Sequence, residues 1–163
     1  MADSLPDYGG RRMNDPTIRI TLLSHAVATL YMLGLIWFVQ VVHYPLLGAV
    51  GSAEFPAFER RHKLLTTWVV APPMLLEGAT ALLLFWFRPP SVSTWQVAAG
   101  VILVAVIWLS TAFVQVPCHE SLSNGFDAAV HARLVFTNWI RTIAWSLRGL
   151  LVVGMTWSAL PVG

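Results

Sequence analysis

Four long apolar runs constrain the fold of this chain more than any other feature of its sequence. They cover Ile18–Val42, Leu64–Phe87, Trp95–Val116 and Leu134–Leu160. Each run has at least the roughly 20 residues that a helix rising 1.5 Å per residue needs to cross a bilayer core about 30 Å thick. Because that core offers no water to unpaired backbone groups, the runs are expected to be helices. The sequence therefore predicts an all-α, transmembrane four-helix bundle.

The chain carries few charges for its length. Charged residues make up 11% of it and hydrophobic residues 56%, whereas about 25% of a soluble domain is charged. A formal net charge of +2 without a basic stripe gives no sign of a nucleic-acid partner. The motifs GxGxxG, Walker A, GxSxG and HExxH do not occur, which disfavours nucleotide-dependent chemistry and serine hydrolysis. The expected partner is the lipid bilayer.

The first 17 residues differ in character from the rest. Residues 1–17 are polar and lack periodicity, so we expect a disordered tail ahead of a membrane domain over residues 18–163. Basic residues flank the two sides of the predicted bundle equally, and those ahead of the first helix favour both termini in the cytoplasm. The expected location is a bacterial inner membrane, and a homo-oligomer is a further expectation.

The two halves of the chain resemble each other. The sequence of Phe38–Val41 recurs as Phe113–Val116, and a spacing of 71 residues aligns Trp68 with Trp139 near the start of the second and fourth runs. The same spacing places other tryptophan and glycine residues opposite each other. This internal repeat predicts two tandem helical hairpins, related by an axis along the membrane normal.

Four of the five histidines stand at the ends of the apolar runs, on one predicted side of the membrane. Glu59 precedes His62 by three residues, which is the Glu-x-x-His spacing of di-metal four-helix proteins. Neutral imidazoles and a carboxylate together suit iron, copper or zinc. The sequence predicts a transition-metal site, with iron or copper favoured and zinc as a further candidate. The predicted ligands are His43, His62, His119, His131 and Glu59.

Several residues near these histidines have other interpretations than metal binding. Gln40 and Gln115 precede two of the histidines and are candidates to hold their second ring nitrogens. Asp127 fits a helix cap better than a metal ligand. Cys118 is expected to be a buried, inert thiol. Each histidine taken singly is also compatible with an ordinary interfacial residue.

A second polar level is predicted deeper in the bundle. Glu77, Arg148 and His25 fall at similar distances from the histidine level, counted at about 1.5 Å per residue. We expect a buried Glu77–Arg148 ion pair touched by His25, which either fixes helix register or forms part of a proton or substrate path. Arg141 and Asn138 lie between the two levels and point inward, so they join Glu59 as candidate catalytic residues.

Short signatures near the helix ends carry a resemblance to a known family. They are His43-Tyr44-Pro45, Phe55–His62, Pro117-Cys118-His119 and Asp127–Arg133. With the four-run layout, they make most of residues 18–160 resemble the anthrone-oxygenase-like family of small four-helix membrane proteins. The resemblance implies oxygen-dependent chemistry on a hydrophobic substrate. No catalytic set carries over residue by residue.

Three functions follow as hypotheses. The first is a membrane metalloenzyme, an oxidoreductase acting on a hydrophobic small molecule at the histidine level. The second is an electron-transfer protein in which two imidazoles hold a non-covalent haem, since no CxxCH attachment motif exists. The third is a non-enzymatic transport or interaction protein that uses Glu77, Arg141 and Arg148 as its polar path.

Overall fold

The computed structural model describes residues 15–160, which form four helices and no strand. The helices are α1 (Pro16–Leu47), α2 (Phe55–Leu83), α3 (Thr94–Leu122) and α4 (Ala128–Ser158). The all-helical architecture with four helices is therefore confirmed. The predicted tail lies outside the described residues, apart from Asp15, the N-cap residue of α1, and Pro16 and Thr17, which belong to its first turn.

Aspartate caps mark the starts of the first and fourth helices. Asp15 accepts a hydrogen bond from the backbone N–H of Thr17 at 2.8 Å, and Pro16 occupies the first helical turn. Asp127 caps α4 as predicted, accepting from the N–H groups of Ala129 and Val130 at 2.8 and 2.9 Å. The fourth helix consequently begins at Ala128, earlier than the predicted start at residue 134. The second helix begins at Phe55, before the predicted start at residue 64, with a proline and no side-chain cap in its first turn.

Two of the helices contain a wider, π-helical turn. The turns are Val39–His43 in α1 and Thr111–Gln115 in α3. In each, the residue just before a proline, Pro45 or Pro117, donates its N–H to the carbonyl five residues back. A proline ring clashes with the carbonyl four residues back in a regular α-helix, and a wider turn relieves that clash. The two helices therefore continue through their prolines into the histidine level.

The core alternates between apolar and polar levels along the bundle. Helix α1 packs against α2 and α4, and α3 packs against α4. Three buried apolar clusters follow one another, centred on Met155, Trp145 and Tyr44. Buried Arg148 lies in sequence between the first and second clusters, and buried Arg141 between the second and third. Each polar level is thus enclosed by apolar packing on both sides.

Helices α1 and α3 are long and apolar enough to cross a membrane, judged by length and composition. Helices α2 and α4 interrupt their apolar runs with charged residues. These are Glu77 in α2 and Arg141 and Arg148 in α4, and all three side chains are buried.

Candidate metal centre

Glu59 lies at the centre of the histidine level. Because α2 begins at Phe55, Glu59 and His62 stand three positions apart within one helix and share a face. The Glu59 side chain is 0% exposed, and its Oε1 lies 2.6 Å from Nδ1 of His119 on α3. Its second oxygen, Oε2, has no hydrogen-bond partner among the described residues. A buried carboxylate oxygen without a partner is costly, which marks this atom as a position for a ligand.

His62 joins the group from the next turn of α2. Its Nδ1 lies 3.2 Å from Nε2 of His43 and 3.0 Å from the hydroxyl of Thr66. His62 precedes the apolar run that begins at residue 64, and burial lowers its pKa from 6.5 to about 4, with His43 and His119 adding to the effect. The lowered pKa favours the neutral imidazole, which is the form that binds metals.

Three of the predicted ligands form a group with the spacing of a metal site. One ligand atom each from Glu59, His62 and His119 lies within 4.8 Å of the other two. The donor set of two imidazoles and one carboxylate fits a transition-metal ion, and the partnerless Oε2 of Glu59 supplies an oxygen for it. His43 adjoins this group through its contact with His62. We call Glu59, His43, His62 and His119 the histidine cluster.

His131, the fourth predicted histidine, lies outside the histidine cluster. Its Nε2 lies 2.8 Å from the backbone carbonyl of Tyr44, and its ring packs against Phe126. Tyr44 lies in the last turn of α1, where backbone carbonyls run out of partners within the helix, and a side chain of α4 bonds to its carbonyl. The structure therefore brings three of the four predicted histidines together, and His131 instead contacts the end of α1 from α4.

The glutamines predicted to hold ring nitrogens bond elsewhere. Gln40 donates to the carbonyl of Val135 at 3.2 Å, and its oxygen accepts from Asn138 at 2.8 Å. Gln115 accepts from Ser110 at 2.9 Å. Both amides are buried between helices, where they satisfy other polar groups of the bundle, and neither is among the hydrogen-bond partners of the cluster histidines in the described chain.

Tyr44 is a site residue that sequence reasoning missed. Its hydroxyl lies 3.0 Å from Nε2 of His119 and accepts from Nη2 of Arg141 at 3.1 Å. An ionised carboxylate only accepts, so with Glu59 ionised His119 carries its proton on Nδ1, and Nε2 accepts from the Tyr44 hydroxyl. A continuous hydrogen-bonded chain therefore runs from Glu59 through His119 and Tyr44 to Arg141. In the sequence, Tyr44 stood out only as part of the His43-Tyr44-Pro45 signature, with no role of its own.

Arg141 and Asn138 point inward, as predicted, and bond to each other. Arg141 donates from Nε to Oδ1 of Asn138 at 2.9 Å, and its side chain is 7% exposed. The described structure contains no carboxylate within ion-pair distance of this guanidinium. Cys118, the thiol considered in the sequence, is buried in the apolar cluster around Tyr44 and Leu47.

A cavity of about 520 Å³ opens beside the histidine cluster and is lined by residues of all four helices. His43, His62 and His119 line one part of it, with Tyr44 and Arg141. Most of the remaining wall is apolar and includes Met32, Leu35, Ile36, Val70, Met74 and Trp145. Its size and composition are typical of sites for small organic ligands.

The predicted deeper level is present as an ion pair. Nε of Arg148 lies 2.8 Å from Oε1 of Glu77, and the second oxygen of Glu77 accepts from Trp145 at 3.0 Å. Nη2 of Arg148 lies 3.5 Å from Nε2 of His25, whose Nδ1 meets the hydroxyl of Thr80 at 3.0 Å. We call Glu77, Arg148 and His25, with Trp145 and Thr80, the inner ion-pair layer.

Comparison with protein families, with curated proteins and with solved structures gave no match for this chain. The resemblance to the anthrone-oxygenase-like family remains a prediction from sequence signatures.

Proposed function

We propose that this chain is an integral membrane metalloenzyme that binds one transition-metal ion through Glu59, His62 and His119 and acts on an apolar molecule in the adjoining cavity. The observation that carries the proposal is the buried, partnerless Oε2 of Glu59 beside two imidazoles. An apolar interior favours such an oxygen only when a cation or a proton completes its bonding.

The outer surface supports membrane insertion of all four helices. Large apolar side chains are exposed on every one of them, for example Val27, Trp68, Phe113 and Phe136. Soluble monomers rarely expose apolar surface on this scale. The charged residues in the middle of α2 and α4 are buried, as a bilayer requires. We propose four spans with both termini on the cytoplasmic side of a bacterial inner membrane.

The repeated π-helical turns support the proposed pair of related hairpins. Each hairpin would begin with a helix, α1 or α3, that widens just before a proline. Turns of this kind are frequent at functional sites, and both lead into residues of the histidine level. Tandem hairpins would place the histidine cluster near the axis that relates them.

The ligand set favours iron among the candidate metals. Two histidines and one carboxylate with open coordination positions are the arrangement of non-haem iron(II) oxygenases, although copper and zinc also bind such donors. A bound iron or copper ion would supply redox chemistry with oxygen, and zinc would supply a Lewis acid. Oxygen-dependent oxidation of a hydrophobic substrate is the reaction class that we propose.

The protein's own residues would prepare the substrate. The apolar wall around Met32 and Trp145 holds a hydrophobic molecule and keeps water away from the histidine cluster. The Tyr44 hydroxyl, hydrogen-bonded to His119 and Arg141, lines the same cavity and is placed to give or take a proton there. Metal binding at His119 would displace one of its two present partners, Glu59 Oε1 or Tyr44.

The first test is the metal content of protein purified without chelators in lipid nanodiscs and then loaded anaerobically with iron(II). We expect about one equivalent of iron in the wild type and a loss of it in Glu59→Gln and His62→Ala. His131→Ala is the matched control and should keep the metal, because its Nε2 is bonded to a backbone carbonyl.

Two outcomes would overturn the proposal. One is folded wild-type protein that binds no iron, copper or zinc above background. The other is an equal loss of metal in the His131→Ala control. A Soret band in the visible spectrum would indicate a bound haem and would favour the electron-transfer hypothesis over a mononuclear metal site.

A further inference from the structure

Arg141 carries a buried positive charge that no carboxylate contacts directly in the described part of the chain. Its side chain is 7% exposed, yet its partners are the amide oxygen of Asn138 and the hydroxyls of Tyr44 and Thr111. Burying a charge without an opposite charge costs several kcal/mol, and hydrogen bonds to neutral groups offset only part of that cost. Arg141 is therefore suited to an anion supplied from outside the chain.

The guanidinium has unused donor capacity at Nη1. A guanidinium has five N–H donors. Nε bonds to Asn138 and Nη2 bonds to Asn138 and Tyr44, whereas Nη1 has one long contact, 3.4 Å, to Thr111. Thr111 and Arg141 both line the cavity. The under-used nitrogen is the one next to a cavity-lining hydroxyl.

The other strongly basic group at the cavity is already paired. Lys63 also lines it, but its Nζ forms an ion pair with Glu120 and donates to Ser123. The remaining wall is mostly apolar. The cavity thus combines one unpaired cation with a hydrophobic interior, which is complementary to a molecule with one acidic group and an apolar body.

We propose that the cavity binds an amphiphilic acid, with its carboxylate on Nη1 of Arg141 and its apolar body along Met32, Ile36 and Met74. This inference rests on the proposed function, because it takes the cavity as the substrate site, and it names the substrate class. Arginine and carboxylate form strong, charge-assisted hydrogen bonds, and these strengthen in a water-poor cavity. The anchor fixes the carboxylate end of the molecule next to Tyr44, and its apolar body extends along the cluster of Met32, Ile36 and Met74.

The test compares dodecanoate with its neutral counterpart, 1-dodecanol. [1-¹³C]dodecanoate is titrated into the protein in nanodiscs of neutral phosphatidylcholine, and the bound acid is measured from its carboxyl resonance against protein-free nanodiscs. We expect about one bound dodecanoate per protein, with 1-dodecanol at least about tenfold weaker as a competitor. Acetate should not compete, because it lacks the apolar body.

Variants assign the preference to Arg141. Arg141→Gln should lose the preference for acid over alcohol while still binding dodecanol, and Arg141→Lys should keep part of it. Arg133→Gln is the matched control, because Arg133 is an exposed cation on the same helix. Equal binding of acid and alcohol by the wild type would overturn the inference, as would a preference that survives in Arg141→Gln.

Metal analysis of the same samples separates the two proposals. Protein that holds metal but shows no preference for the acid would refute the acid site and leave the metal centre standing. Protein that prefers the acid through Arg141 but holds no metal would refute the metal centre and keep the acid site.

Discussion

Two buried arginines in the same helix have opposite electrostatic surroundings. Arg148 bonds to the carboxylate of Glu77, and both side chains of this pair are 1% exposed. Arg141, two turns earlier in α4, is also buried but has only neutral partners among the described residues. In the inner ion-pair layer the two opposite charges are in direct contact, whereas Glu59 and Arg141 at the level of the histidine cluster are separated by His119 and Tyr44.

The two levels also differ in whether the hydrogen-bonding capacity of their charged side chains is filled. In the inner ion-pair layer, both oxygens of Glu77 have donors, from Arg148 and Trp145. At the histidine cluster, Glu59 keeps one partnerless oxygen and Arg141 keeps unused donor capacity beside a cavity. A closed network fixes how helices pack, whereas an open one leaves room for the proposed metal ion and acid.

The largest expected effect comes from breaking the closed network. Glu77→Leu leaves the Arg148 charge buried without a partner, and we expect it to lower the free energy of unfolding by about 3–5 kcal/mol. Unfolding by a denaturing detergent, followed by circular dichroism, measures this. The double variant Glu77→Leu with Arg148→Met should recover much of the loss. A single variant as stable as the wild type would contradict a structural role for the pair.

Glu59→Gln should affect metal affinity strongly and stability only weakly, the opposite of the large stability loss expected for Glu77→Leu. It removes the anionic metal ligand, so we expect metal affinity to fall at least about tenfold, or about 1.4 kcal/mol. Stability without metal should change by less than about 1 kcal/mol, because Oε2 has no donor to lose. Metal competition and detergent unfolding give the two values. A large loss of stability with unchanged metal affinity would show that Glu59 stabilises the fold and does not bind the metal.

His131→Ala tests the boundary of the histidine cluster. The variant removes the hydrogen bond to the Tyr44 carbonyl, so we expect a stability loss of about 1–1.5 kcal/mol. Metal affinity should stay within about twofold of the wild type, a difference below about 0.5 kcal/mol. The reason is that Nε2 of His131 bonds to a backbone carbonyl and lies outside the histidine cluster. A clear drop in metal affinity at unchanged stability would restore His131 as a ligand.

Asp127→Ala should have the smallest effect and serves both levels as a control. It removes the cap of α4, which contributes about 0.5–1 kcal/mol. Metal binding and the preference for dodecanoate should be unchanged, because Asp127 bonds only to backbone N–H groups at the start of α4 in the described structure. A shift in either binding property would show that the helix start adjusts the site.

Much of the fold and part of the site were predictable from spacing along the chain. Run lengths gave the four helices, and residue counts at 1.5 Å per residue placed Glu77 and Arg148 at one depth. The ion pair could be predicted because unpaired charges are costly in an apolar interior, and two opposite charges at the same depth can pair with each other. His131 and the glutamines were misplaced because depth alone does not say which way a side chain faces.

The sequence by itself determined how deep each polar group lies, since depth depends only on the count of residues from a helix end. Only the tertiary structure decided which groups meet. The π-helical turns before Pro45 and Pro117 add a residue to one turn and so change the face on which later side chains lie. Packing of α1 against α4 then brings Tyr44 between His119 and Arg141, a contact that no spacing rule contains.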